Sequence, residues 1–219
     1  MTPLIKICGL NSEAAVTAAV AAGATHGGFM FFEKSPRFVR LETARDLSAH
    51  AGGLVKVAVM VDPDDTLIDD LICVVAPDML QLHGAETPER VAAVATRGLP
   101  VIKALGVSAA EDVAKARGYA AASMILFDAK PPRDASRPGG HGAVFDWSLL
   151  TGDLPANWIL SGGLSPANLA EAIARTRAPG VDASSSLEDA PGVKSPARIA
   201  AFTAAARAAY GLPSLDHAA

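Results

Sequence analysis

The chain alternates short apolar runs with longer polar, helix-forming stretches, and the runs are the clearer signal. Eight stand out: LIKIC (4–8), HGGFMFF (26–32), LVKVAVMV (54–61), DMLQLH (78–83), PVIKAL (100–105), ASMILFD (122–128), WILSGG (158–163) and GVDASS (180–185). Each is short and bounded by turn residues, and so predicts a strand buried on both faces. The stretches between them show helical spacing behind helix-start residues. Asn11-Ser12 precedes EAAVTAAVAAG, Asp64 and Asp65 precede TLIDDLI, Thr87 precedes PERVAAVATRG, and Ser165 precedes PANLAEAIAR. Gly23, Gly98 and Gly118 read as helix stops.

Strands that alternate with helices pair in parallel, because each helix carries the chain back across a face of the sheet. Eight such units predict an α/β single-domain (β/α)8 TIM barrel with a parallel eight-stranded sheet. At 219 residues the chain lies near the short end of that fold, so most loops must be tight. Residues 129–147, AKPPRDASRPGGHGAVFDW, break that rule with three prolines and three glycines, and read as a flap before the next helix. The barrel is expected over residues 1–211, with a loose tail at 212–219.

Composition narrows the function. Half the residues are hydrophobic but only 5% are aromatic, so the core is filled by Ala, Val, Leu and Ile. A formal charge of -4 argues against nucleic acid, which needs clustered Lys and Arg. Cys8 and Cys73 form no CxxC pair and no ligand cluster with the histidines, so neither a disulfide framework nor a metal site is indicated. No targeting or membrane-spanning segment is apparent, and a cytoplasmic protein is expected. The acidic stretch DPDDTLIDD (62–70) lacks the glycine and terminal glutamate of a calcium loop and reads as helix capping; Cys73, in the apolar helix that follows, is expected in the core.

Barrel enzymes keep their chemistry at the carboxyl ends of the strands. Here those ends carry Cys8, Gln81 and His83, Asp128, Ser161-Gly162-Gly163 and Asp182 through Ser186. Alternation puts Lys6 on one face with Cys8, Gln81 with His83, and Leu126 with Asp128. If Ile5 and Ile7 pack outward, Lys6 and Cys8 point into the barrel. Cys8 is then either a small core residue or a thiol whose ionisation Lys6 assists, fitted to act as a general base. Asp128 is either a loop-capping carboxylate or a buried general acid. Gly162, Gly163, Ser184 and Ser185 fall after strands 7 and 8, where such barrels bind phosphate through backbone N–H groups. Arg37 is either a solvated surface group or a planar fork for a substrate carboxylate. Gln81 and His83 are candidate substrate contacts, His83 either orienting substrate or satisfying a hydrogen bond at its strand end.

These residues carry a resemblance. KICGL (6–10), SPR (35–37), QLHG (81–84), FD (127–128), FDW (145–147), LSGGLSPANL (160–169) and GVDASSSLE (180–188) together resemble the phosphoribosylanthranilate isomerase family of tryptophan biosynthesis, end to end. The resemblance implies an Amadori rearrangement of N-(5-phosphoribosyl)anthranilate to 1-(2-carboxyphenylamino)-1-deoxyribulose 5-phosphate, without metal or organic cofactor. It implies Cys8 as general base, Asp128 as general acid and Arg37 as the grip on the anthranilate carboxylate. The partner is a small phosphosugar, and a monomer and a homodimer are both compatible with it. Two positions depart from the family pattern: Ser186 stands where a glycine is usual, and His141 where a small Ser or Thr is common. The competing readings are another phosphosugar isomerase or epimerase on the same barrel, and a silent barrel that binds a phosphorylated ligand or a partner protein.

Overall fold

The computed structural model describes residues 2–130, 144–150 and 152–215. Eight parallel strands follow one another around a closed barrel: β1 (Leu4–Cys8), β2 (His26–Met30), β3 (Val55–Met60), β4 (Met79–Leu82), β5 (Val101–Val107), β6 (Met124–Ala129), β7 (Trp158–Leu160) and β8 (Gly180–Ala183). The ring closes where Leu4, Ile5, Lys6 and Ile7 pair with Gly180, Val181, Asp182 and Ala183. All eight expected strands are present. The runs at 158–163 and 180–185 leave the sheet early, at Leu160 and Ala183, which turns their Gly and Ser residues into loops at the rim.

The helices are α1 (Glu13–Ala21), α2 (Leu41–Ala49), α3 (Asp65–Val74), α4 (Pro88–Ala95), α5 (Ala110–Ala114), α6 (Leu169–Thr176) and α7 (Pro196–Ala209). Ser12, Asp64 and Thr87 cap the first turns of α1, α3 and α4 by accepting from the N–H groups of Ala15, Leu67 and Arg90. The helix expected behind Ser165 starts four residues later, at Leu169, with Asn168 bonding both Ser165 N–H and the Gly163 carbonyl. Between β6 and β7 the described residues form only a 3-10 turn, Trp147–Leu149, in place of the expected helix. The flap residues 131–143, including His141, lie outside the described residues.

Two apolar layers follow from strand alternation. Ile5 and Ile7 join Val16, Ala19 and Phe202 in the layer between strands and helices, whereas Leu4, Cys8, Val57, Val59, Met79, Ile102, Ala104, Leu126 and Ile159 form a cluster made of strand residues alone. The second cluster is the barrel interior, and it fixes the phase of each strand: Lys6 and Cys8 face inward, as does Asp128, two residues beyond Leu126. Cys73 is exposed, contrary to expectation, because Ile68 and Leu71 carry the buried side of α3 and residue 73 falls off that stripe. Leu212, at the start of the expected tail, packs on the core, and Arg207 donates to the Pro213 carbonyl at 2.7 Å.

Lys103 faces the outer layer and is fully buried. Its ammonium bonds Glu86 Oε2 at 2.7 Å and the Gly84 carbonyl at 2.8 Å, while Glu86 accepts from the N–H groups of Asp62 and Gly84. This pair pins the loop that follows His83. Lys103→Met is expected to destabilise the fold by about 3–5 kcal/mol, because it leaves a buried carboxylate without its cation. Denaturant unfolding measures it, and a loss below about 1 kcal/mol would contradict that assignment.

Candidate active site

Cys8 closes β1 and is 6% exposed. Its cross-strand neighbour is Gly28, and a Cβ there would lie 3.1 Å from Cys8 Sγ and 3.3 Å from Lys6 Nζ, so the missing side chain makes room for both groups. Lys6 donates to Asp182 Oδ1 at 2.8 Å, and Ser161 Oγ donates to Asp182 Oδ2 at 3.1 Å. Register makes this pairing inevitable, since Lys6 and Asp182 are direct partners across β1 and β8. Burial works to lower the Lys6 pKa, but Asp182 and Cys8 outweigh it and hold the ammonium above its ordinary value. Burial pushes the Cys8 thiol up. Lys6 opposes that push, Asp182 adds to it, and Lys194 opposes it in turn.

Asp128 lies near the end of β6, with its side chain 11% exposed. Its Oδ1 accepts from Ala129 N–H at 2.8 Å and its Oδ2 lies 3.2 Å from His83 Nε2. His83 Nδ1 lies 2.9 Å from Gln81 Nε2, so β4 and β6 are joined by a three-residue polar chain at the inner rim. Gly162 takes φ +87°, and a Cβ there would meet Ala129 N at 2.5 Å and Asp128 Oδ1 at 3.1 Å; only glycine lets the β7 loop close over this carboxylate.

Arg37, on the loop after β2, is buried rather than solvated. Its Nε and Nη2 form a fork on Glu188 at 2.6 and 2.8 Å. Gly9, at φ +78°, admits the Arg37 stem, because a Cβ there would lie 2.5 Å from Arg37 Cδ. Glu188 opens a small hairpin, β9 (Glu188–Ala190) and β10 (Val193–Lys194), whose register sets it opposite Lys194. Lys194 Nζ bonds Glu188 Oε1 at 2.7 Å and the Ser184 carbonyl at 2.9 Å, and Ser184 Oγ donates to the Cys8 carbonyl at 3.0 Å. Hydrogen bonds from Arg37 and Lys194 overcome the burial of Glu188 and hold its carboxyl below the usual range.

Gly162 and Gly163 occupy the loop after β7; Ser184 and Ser185 occupy the loop after β8. Ser186 Oγ donates to the Leu164 carbonyl and ties the two loops together. Among the described residues the non-glycine positions with positive φ are Asp62, Ala76 and Arg177, so Ser186 sits in its turn without the strain a left-handed position would impose.

The structure therefore brings Cys8, Lys6, Asp182, Ser184 and Lys194 together on one side of the rim and Gln81, His83 and Asp128 on the other. Sequence reasoning missed the roles of Glu188 and Lys194. Glu188 closes the GVDASSSLE stretch, but its pairing with Arg37 spans 151 positions and leaves no local pattern. Among the described residues, no group of three or more His, Cys, Asp and Glu side chains could hold a metal ion, and no helix is long and apolar enough to cross a membrane.

Comparison with known proteins agrees with this geometry. A family model described as N-(5'-phosphoribosyl)anthranilate (PRA) isomerase matches residues 5–205. A relative of that name from Rhodopseudomonas palustris strain HaA2 is 52% identical over 212 residues, 95% of this chain and 97% of the relative. The crystal structure of phosphoribosyl anthranilate isomerase from Thermotoga maritima superposes with a TM-score of 0.85 at 35% identity, covering 94% of this chain and 99% of that one. A crystal structure of the isomerase in complex with reduced 1-(o-carboxyphenylamino)-1-deoxyribulose 5-phosphate superposes at 0.80 and 33% identity, with the same coverage of both chains. A family match over nearly the whole barrel and a relative sharing half its residues establish that the chain belongs to the N-(5'-phosphoribosyl)anthranilate isomerase family of tryptophan biosynthesis.

Proposed function

We propose that this isomerase divides its proton work between Cys8 and Asp128. Asp128, as general acid, protonates the furanose oxygen of N-(5-phosphoribosyl)anthranilate, and the sugar opens to an imine. The Cys8 thiolate then removes the C2 proton, and the enolamine that results tautomerises to 1-(2-carboxyphenylamino)-1-deoxyribulose 5-phosphate. One proton is given and one is taken, so no redox partner enters. The observation that carries this reading is that Cys8 and Asp128 close inward-facing rows of one barrel at the same rim, both buried.

The substrate is held at its two ends. Backbone N–H groups of Gly162, Gly163, Ser184 and Ser185 receive the phosphate, and the Ser186 bond to Leu164 supports that role by keeping the two loops in step. Arg37 receives the anthranilate carboxylate. Glu188 engages Nε and Nη2 of its guanidinium, which orients Nη1 for the ligand. Gln81 and His83 act at the sugar end of the cavity, next to Asp128. Both cysteines are free, which supports a reducing compartment, the cytoplasm, as the place of action.

The loss of anthranilate-substrate fluorescence on adding purified protein tests the reaction. In the same assay Arg37→Met is expected to raise KM about 10- to 100-fold with a smaller change in kcat, the loss of roughly 1.5–3 kcal/mol from a charge-assisted hydrogen bond. Arg37→Lys, which keeps the charge but not the fork, should fall between the two. An unchanged KM in both variants would remove Arg37 from the site.

A further inference from the structure

The β9–β10 hairpin stands outside the barrel sheet, yet its tip is fixed to the rim. Gly192 takes φ +82°, and a Cβ there would collide with the Pro36 carbonyl of the loop after β2. Asn11 Nδ2, in the loop after β1, donates to the Gly192 carbonyl at 2.8 Å, and Gly192 N–H donates to Glu188 Oε2 at 3.2 Å. A hairpin held at its tip in this way presents Lys194 as a fixed group, its side chain fully buried.

The three N–H groups of Lys194 meet three acceptors: Glu188 Oε1 at 2.7 Å, the Ser184 carbonyl at 2.9 Å and Ser184 Oγ at 3.3 Å. Two of these contacts lead to opposite ends of the site. Glu188 carries the fork of Arg37 on the same carboxylate. The Ser184 carbonyl also accepts from Leu187 N–H at 3.1 Å, and because the peptide is trans, fixing that carbonyl fixes the Ser185 N–H on the opposite side of the same plane.

The charge count separates Lys194 from an ordinary structural ion pair. Arg37 and Lys194 bring two cations to one carboxylate, and without Lys194 the oxygens of Glu188 still accept from Arg37 Nε, Arg37 Nη2 and Gly192 N–H. Burial outweighs the pull of Glu188 and holds the Lys194 pKa below its ordinary value. A second buried cation on an anion that already has its partner costs the fold desolvation without a matching gain.

We infer that Lys194 is a positioning residue that sets the two substrate anchors in register, orienting Arg37 through Glu188 and the Ser185 N–H through the Ser184 carbonyl. The inference rests on the proposed reading of Arg37 as the carboxylate anchor and of the Ser184–Ser185 loop as part of the phosphate anchor, and it names the group that joins them. Lys194 itself touches no substrate.

Two non-fluorescent competitors of turnover, inorganic phosphate and benzoate, report the two ends separately. Arg37→Met is expected to raise the inhibition constant of benzoate roughly 10-fold and to leave that of phosphate within about twofold, whereas Lys194→Met should raise both, roughly 3- to 10-fold each. Lys194→Gln, uncharged but able to donate, should fall between wild type and Lys194→Met at both ends, and it carries the same test if the methionine variant yields little folded enzyme. A purely structural role would lower the folded fraction and move neither constant, because both are read from the enzyme that turns over. If Lys194→Met leaves either constant within about twofold of wild type while Arg37→Met weakens benzoate as expected, Lys194 does not join the anchors and the anchors stand. If Arg37→Met leaves benzoate inhibition unchanged, or phosphate fails to compete with substrate, the anchor reading falls and the inference with it.

Discussion

Cys8→Ala is expected to lower kcat by about 10²- to 10⁴-fold, the usual worth of a positioned proton acceptor, while leaving the fold intact. The substitution removes one buried atom beside Gly28 and breaks no ion pair, since Lys6 keeps its bond to Asp182 and Ser184 bonds the Cys8 carbonyl rather than its sulfur. Circular dichroism should therefore match wild type while turnover disappears. A residual kcat within tenfold of wild type would remove Cys8 as the base. The pH dependence adds a second test. Burial raises the thiol's pKa above its ordinary value, so the reactive thiolate is a minor form at neutral pH. For a base, activity grows with its deprotonated fraction. On this reading the thiolate fraction rises nearly tenfold per pH unit through the neutral range and levels off only beyond the ordinary thiol pKa, while the fraction of Asp128 that carries its proton falls as pH rises, so kcat/KM follows the product of the two. Lys6→Met removes the foremost opposing cation and should push the plateau higher. Thiol-reagent kinetics report the same pKa directly, in a Cys73→Ser background so that the exposed thiol does not mask the buried one.

Asp128→Asn should be as damaging, again about 10²- to 10⁴-fold in kcat, because the amide keeps the shape of the carboxyl but holds no transferable proton. KM is expected to change little, since the anchors proposed for the phosphate and the carboxylate lie on other loops. The product side offers a control. If ring opening is the step lost, the variant should still exchange the C2 proton of a substrate analogue already in the open-chain form, and failure of that exchange would place Asp128 in both steps.

Most of this architecture is legible in the chain, because a parallel barrel buries both faces of each strand and writes its strands as unbroken apolar runs. The inward phase of Lys6 and Cys8 follows from Ile5 and Ile7 alone. The sequence is less informative where an element's boundary is set from outside. The WILSGG run leaves the sheet at Leu160, because Gly162 must turn over Asp128, and Cys73 is exposed because it lies off the stripe that Ile68, Leu71 and Val75 bury. The site was half legible. Polar residues at strand ends announce Cys8, Asp128 and the loops proposed to take the phosphate, but the partners that hold them come from far along the chain. Arg37 and Glu188, and Lys6 and Asp182, meet only across the folded ring. No spacing rule connects residues that distant, and Arg37 therefore reads as a surface cation until Glu188 is in place.

The hydrogen bonds between the first and last strands carry a consequence for biosynthesis of the enzyme itself. The thiol emerges with the opening residues, whereas Asp182, Ser184, Glu188 and Lys194 that surround it belong to the final fifth of the polypeptide. A nascent or truncated chain that stops before β8 has no seam, and so no electrostatic environment for Cys8. Catalytic competence should thus arrive in a single step with completion of the cylinder, which makes turnover a sensitive reporter of its last closure.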